Sequence, residues 1–180
     1  ISHYHYICDM SMLLTRILFL SLGTTLLIGC NPFSPRYNPE GLADINLLGD
    51  PTHVEGYFRL FKNAYELRDT TLYGRLFASD FTFSYYDPDL GQDISWDRDT
   101  ELATSYNLFQ GVLQINLDWN YYTQLDTNET EAIVIRNFNL TIEETEETVY
   151  SGAGRAKLRL KRNMPGEAWQ AYEWFDDSDF

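Results

Sequence analysis

In three stretches between Leu113 and Leu160 the apolar side chains fall on every second residue, a period that fits a β-strand with one buried face and excludes a helix. Leu113, Ile115, Leu117, Trp119 and Tyr121 alternate with Gln114, Asn116, Asp118 and Asn120. Val134, Arg136, Phe138, Leu140 and Ile142 share one face of a second strand, with Ile133, Ile135, Asn137 and Asn139 on the other. Tyr150, Gly152, Gly154, Ala156, Leu158 and Leu160 share parity in a third. Trp169 to Phe175 supply a last strand after the turn at Asn163 to Gly166, and Asp126–Glu131 and Glu143–Thr148 read as hairpin connections. Such a series needs a layer of helices to cover its apolar face.

The preceding segment supplies that layer. Asp50 and Pro51 suit the cap and first turn of a helix, and Val54, Tyr57, Phe58, Phe61, Ala64 and Tyr65 form one broad apolar face after them. A second short helix is expected from Thr70 or Thr71 to about Ala78, with Leu72, Leu76 and Phe77 inward. Phe81-Thr82-Phe83-Ser84-Tyr85 then alternates as a strand, closed by the turn residues Asp87-Pro88-Asp89 and Gly91. Asp97 is the expected cap of a third helix that carries Leu102, Ala103, Tyr106 and Phe109 and ends at Gly111. The order is helix, helix, strand, helix and four strands, an α+β layout.

Ahead of the domain, Leu13 to Ile28 holds one charge, Arg16, and leads into Gly29 and Cys30. A spanning helix needs about 20 apolar residues, and this run is shorter, so it reads as a leader with a basic start and an apolar centre. Met12 is the natural start, which makes residues 1–11 an upstream extension and 12–29 the signal segment. Residues 30–49 are rich in Pro, Asn and Gly and read as a tether, and 50–180 form one domain.

Removal of the leader discards Asp9 and Arg16 and leaves the net charge at −14. That balance argues against nucleic acid and anionic lipid surfaces as partners. Cys8 lies in the discarded segment, so Cys30 has no intramolecular partner for a disulfide, and no Cys/His spacing points to a metal. Arg155, Lys157, Arg159, Lys161 and Arg162 crowd one stretch, expected to be a solvated strand face opposite the acidic residues Glu143 to Glu147. The lone histidine of the mature chain, His53, falls in the first turn of the first helix, which makes acid–base work by histidine improbable.

Leu27-Ile28-Gly29-Cys30 resembles the lipobox of bacterial lipoproteins. The resemblance implies that the Cys30 sulfur takes a diacylglyceryl group and becomes the new N-terminus. It implies a location in the cell envelope, at the outer membrane facing the periplasm where the cell has two membranes. Residues 50 to 176 as a whole resemble the nuclear-transport-factor-2-like superfamily, the curved-sheet cone that includes SnoaL-like cyclases and ketosteroid isomerase. The residues that carry this are Phe61, Ala64, Tyr65 and Asp69, the step Leu76-Phe77-Ala78-Ser79-Asp80-Phe81, and Trp169-Gln170-Ala171-Tyr172-Glu173-Trp174. Trp96-Asp97-Arg98-Asp99-Thr100-Glu101 followed by Leu108-Phe109 is similar to a pattern in bacterial lipoproteins of this fold.

The fold hosts enzymes, binding modules and assembly domains. In such a cone, Tyr57, Tyr65, Tyr85, Trp96, Asp118, Trp119 and Asn137 are the expected lining of a pocket, with Arg136 a further candidate, although parity places Asp118 opposite Trp119. The isomerase scheme would ask Tyr57 or Tyr65 to donate and Asp87 or Asp118 to act as base. Neither acid maps onto that scheme, so no residue is assigned to catalysis and no cofactor or metal is expected. Arg98 at the start of the third helix is expected in capping or a surface charge pair beside Trp96. The expectation is a lipid-anchored, non-catalytic module for a small apolar ligand or for assembly, with a small isomerase, cyclase or dehydratase as the alternative. Assembly would be a homodimer through the sheet face, with Trp119, Tyr121 and Trp174 as exposed anchors.

Overall fold

The computed structural model describes residues 47–178. The leader, Cys30 and most of the tether lie outside the described residues. Within them the order is α1 (Val54–Glu66), α2 (Thr70–Gly74), β1 (Phe77–Asp87), β2 (Gln92–Asp97), α3 (Arg98–Gly111), β3 (Gln114–Thr127), β4 (Glu131–Glu143), β5 (Val149–Lys161) and β6 (Gln170–Ser178). One six-stranded sheet runs β2-β1-β6-β5-β4-β3, with the three helices against its concave face. The α+β cone is therefore present, with two differences from the sequence pattern. β2 is an added strand, hairpin-paired with β1, and β6 pairs with β1 in parallel while all other neighbours are antiparallel. α3 carries the chain from the hairpin to the far edge, and the meander β3-β4-β5-β6 brings it back alongside β1.

α1 begins three residues later than a cap at Asp50 predicts. Asp50 instead closes a turn, accepting from Thr52 N at 3.0 Å and Thr52 Oγ1 at 2.8 Å, and His53 takes the cap position without a side-chain bond to the helix amides. The buried face of α1 is Tyr57, Phe58, Leu60, Phe61 and Ala64. Each large side chain buried there contributes roughly 1.5–3 kcal/mol. Asp69 caps α2 through Thr71 N and Leu72 N. α2 stops at Gly74, short of Ala78, because Phe77 already pairs with Ala171 in the sheet.

α3 begins where Asp97 accepts from Thr100 N at 3.0 Å, but its inward face differs from the hydrophobic count. Glu101, Ser105 and Phe109 are buried at i, i+4 and i+8, while Ala103 and Tyr106 face solvent. Among the described residues Arg98 finds no carboxylate. Its guanidinium donates to the carbonyls of Gly74 (2.7 Å) and Phe77 (3.4 Å) and locks the α2–β1 junction.

β3 is an edge strand, and two register shifts between Trp119 and Gln124 bend it. Trp119 pairs with Phe138 and Tyr122 with Arg136, so Tyr122 takes the inward place that parity assigns to Tyr121. Arg136, buried on β4, donates to the Asn120 carbonyl at 2.9 Å, to Glu55 Oε2 at 3.0 Å and to Tyr122 Oη at 2.9 Å. α1 also shields the β3 edge: Glu66 Oε1 accepts Leu117 N at 2.9 Å and Lys62 Nζ donates to Leu117 O.

The basic stretch lies on the outer face of β5, and its acids come from β6 and β1 rather than from Glu143 to Glu147. Arg155 pairs with Asp177, Arg159 with Glu173 at 3.7 Å and Lys161 with Asp80 at 2.5 Å. Arg162 leaves that row and lies over Trp169, its Cζ 4.2 Å from the ring centre.

Candidate functional site

Where α3 and α1 arch over β1, β6, β3 and β4, the side chains leave a cavity of about 180 Å³. Its wall is largely aromatic and aliphatic, and two carboxylates, Glu101 and Asp176, enter it. Burial of the α3 face brings Glu101 in, and the regular alternation of β6 after its bulge at Tyr172 turns Trp174 and Asp176 to the same side.

The two acids are held differently. Glu101 is saturated: Oε1 accepts from Tyr73 Oη at 2.8 Å and Ser105 Oγ at 2.9 Å, and Oε2 accepts from Trp96 Nε1 at 2.8 Å. These bonds fix Trp96, whose ring stacks on Phe83 at 4.4 Å and 18°. Asp176 Oδ2 accepts from Ser178 Oγ at 2.8 Å, and its Oδ1 is buried without a partner among the described residues. Burial first, then the nearby charges of Asp177 and Glu101, raise the Asp176 carboxyl above its ordinary value, although the Ser178 hydroxyl and the Asp177 backbone N–H oppose this. Trp119 Nε1 and Trp174 Nε1, also in this wall, are likewise buried and unpaired among the described residues. Two orphan donors and one orphan acceptor thus belong to residues that line one space, each a group whose desolvation is uncompensated.

Tyr65 completes the polar equipment. Burial, followed by the charges of Glu101 and Asp176, pushes its phenol well above the usual range, so its hydroxyl keeps a proton to donate. A second, wider space of about 600 Å³ adjoins the first and is lined by Tyr85, Tyr86, Pro88, Asp177 and Ser178. Phe83, Trp96 and Asp176 line both.

Of the residues that the sequence points to, Tyr65, Trp96 and Trp119 line the inner cavity and Tyr85 the outer one. Tyr57 is fully buried in the core away from the cavity, its hydroxyl donating to Leu76 O at 3.3 Å. Asp118 lies on the exposed side of β3, bonded to Lys62 Nζ at 3.0 Å, because Leu117 and Trp119 take the inward positions around it. Asn137 faces outward for the same reason, between the inward Arg136 and Phe138, and meets Thr123 Oγ1 at 3.3 Å. Asp87 closes the β1–β2 turn by accepting from Asp89 N and Leu90 N, and Arg136 serves the β3 bulge. Trp119 and Trp174 point inward, so they share no exposed face with Tyr121, which is 70% exposed. The sequence points to Glu101 only within the Trp96–Glu101 motif and not to Ser105, Tyr73 or Asp176, although Asp176 stands two residues after Trp174 and shares its parity. Among the described residues no group of three or more His, Cys, Asp or Glu is placed to hold a metal, and no helix is long and apolar enough to cross a membrane.

No family model and no curated protein matches the chain by sequence. Solved structures do match in shape. A conserved protein from Planctomyces limnophilus superposes with a TM-score of 0.61 at 18% identity, covering 76% of this chain and 97% of its own. A protein assigned as a dehydratase of the NTF2-like family from Streptomyces avermitilis gives 0.56 at 15% identity, covering 71% and 94%. A hexachlorocyclohexane dehydrochlorinase gives 0.55 at 9% identity, covering 71% and 83%. At these identities the likeness concerns the fold: the chain has the NTF2-like cone.

Proposed function

We propose that the domain binds a small, largely apolar molecule in the inner cavity and that Asp176 moves a proton on it, in the manner of an isomerase or lyase. The observation that carries this reading is the Asp176 side chain in the wall of an aromatic cavity, with one of its oxygens buried and unpaired among the described residues. A carboxyl whose affinity for protons is raised by its surroundings is a better base at neutral pH than an ordinary aspartate. Saturated Glu101 is a poor candidate for that task; its bonds position Trp96 and Tyr73. Tyr65 and the indole N–H groups of Trp119 and Trp174 are the donors for an oxygen on which charge develops once a neighbouring carbon loses its proton. Loss of water and loss of HCl, the reactions that the names of the dehydratase and dehydrochlorinase neighbours denote, likewise remove a proton from the molecule.

The test is hydrogen–deuterium exchange at the carbon beside the carbonyl of single-ring ketones, both neutral and amine-bearing, followed by proton NMR in D₂O. The protein is expected to accelerate exchange above the buffer rate, and Asp176→Asn to remove the acceleration. Ketones that bind without accelerated exchange refute the proton-transfer role. The Leu27-Ile28-Gly29-Cys30 sequence further supports a lipid anchor at Cys30 that holds this domain at the cell envelope. Cys30→Ser is expected to move the protein from the membrane fraction to the soluble fraction, and firm membrane retention of that variant removes the anchor from the account.

A further inference from the structure

Three basic side chains of this domain each lie over an aromatic ring and beside a carboxylate. Arg136 lies over Phe58 (4.9 Å) and Tyr122 (4.3 Å) and pairs with Glu55. Lys157 lies over Phe175 (4.7 Å) beside Asp177, and Lys161 over Tyr172 (5.3 Å) beside Asp80. The cavity repeats the ring and the carboxylate of that arrangement. Phe83 and Trp96 stack, Trp174 meets Phe83 edge to face at 5.0 Å and 77°, and Asp176 lines the same cavity with one oxygen unpaired among the described residues. The basic partner is missing: among the described residues no lysine, arginine or histidine lines either space.

We infer that the ligand supplies this charge: the cavity takes a small organic cation, a protonated amine on a body about one ring in size, with the ammonium between Asp176 and the Phe83–Trp96–Trp174 corner. This rests on the cavity's being the binding site, as proposed above, and adds the class of molecule. Aromatic faces attract ammonium groups through their quadrupole, more strongly where water is excluded. A carboxylate facing them adds Coulomb attraction at reduced dielectric. Size is consistent, since an apolar cavity of about 150 Å³ holds benzene and this one measures about 180 Å³. An oxygen acceptor elsewhere on the ligand would answer the indole N–H groups of Trp119 and Trp174. Anions are disfavoured twice, by the two carboxylates in the wall and by a net charge of −14 that repels them at a distance.

Benzylammonium, benzyl alcohol and benzoate share one shape and differ in charge, so their affinities for the full chain at about pH 8 test the inference. Benzylammonium is expected to bind at least about tenfold more tightly than benzyl alcohol, with benzoate weakest. Asp176→Asn is expected to erase the preference for benzylammonium while leaving benzyl alcohol within about threefold of its original affinity. Equal or tighter binding of benzyl alcohol overturns the charge inference and leaves the cavity and its proton transfer standing. Failure of all three to bind overturns both. Preference for the cation without any exchange of ketone protons overturns the proton-transfer role alone.

Discussion

Asp176 makes the site a burden on the fold, and that burden can be measured without knowing the ligand. In the folded protein its carboxyl holds a proton to higher pH than the ordinary value of 3.8, chiefly because the charged form is poorly solvated. For an acid raised in this way the folded state binds more protons than the unfolded state, so stability falls as pH rises from the unfolded value through the folded one. Above that window the cost is fully present; below it, none remains. Asp176→Asn keeps an acceptor for Ser178 Oγ and removes the charge that Asp177 and Glu101 repel. A buried polar atom without a partner costs about 1–3 kcal/mol, more when charged. Asp176 is only partly buried, so the lower part of that range applies, and the substitution is expected to stabilise the protein by about 1–2 kcal/mol at pH 7. In a domain of this size that is a rise in Tm of roughly 3–8 °C. Thermal unfolding of both proteins from about pH 3.5 to 8 should show two curves that coincide in acid and separate as pH rises. A variant less stable than the parent at pH 7, or a gap that does not close in acid, refutes the assignment of Asp176 as an uncompensated carboxylate.

Four further predictions concern the scaffold that holds the cavity. Arg136→Met preserves bulk but orphans the Asn120 carbonyl and removes two ring contacts, so a loss of about 2–4 kcal/mol is expected in urea unfolding. Glu55→Gln, whose parent side chain is 57% exposed, should cost under about 1 kcal/mol in the same assay. Gly56→Ala inverts the usual preference of helices for alanine, worth about 1 kcal/mol. A Cβ at residue 56 would stand 1.9 Å from the Asp50 carbonyl oxygen, so Tm should fall instead of rising. Glu66→Ala uncovers the Leu117 N–H on the β3 edge and should raise the share of oligomers in size-exclusion chromatography at high concentration, where Lys62→Ala alone should do less.

The alternating strands and the aromatic face of α1 were legible in the sequence because both are patterns of apolar burial, which is what spacing reports. β2 was not, because Gln92 to Asp97 sits at the sheet edge with only Ile94 and Trp96 partly covered, too few apolar positions to show a period. The inward face of α3 was misplaced for a related reason. A count of apolar residues favours Ala103 and Tyr106, yet the buried row at i, i+4 and i+8 is Glu101, Ser105 and Phe109. Its polar members are buried because Tyr73, Trp96 and Ser105 satisfy the Glu101 carboxylate, a circumstance that involves three elements and leaves no trace in local spacing. Asp176 is instructive in the opposite sense. Parity with Trp174 places it inward, where an apolar residue is expected, and no nearby cation compensates it. A polar residue on a core position breaks the local rule either because partners elsewhere complete it, as for Glu101, or because a ligand does. The unpaired oxygen of Asp176 favours the second case, which is why the chemistry is assigned to β6 rather than to the more deeply buried acid on α3.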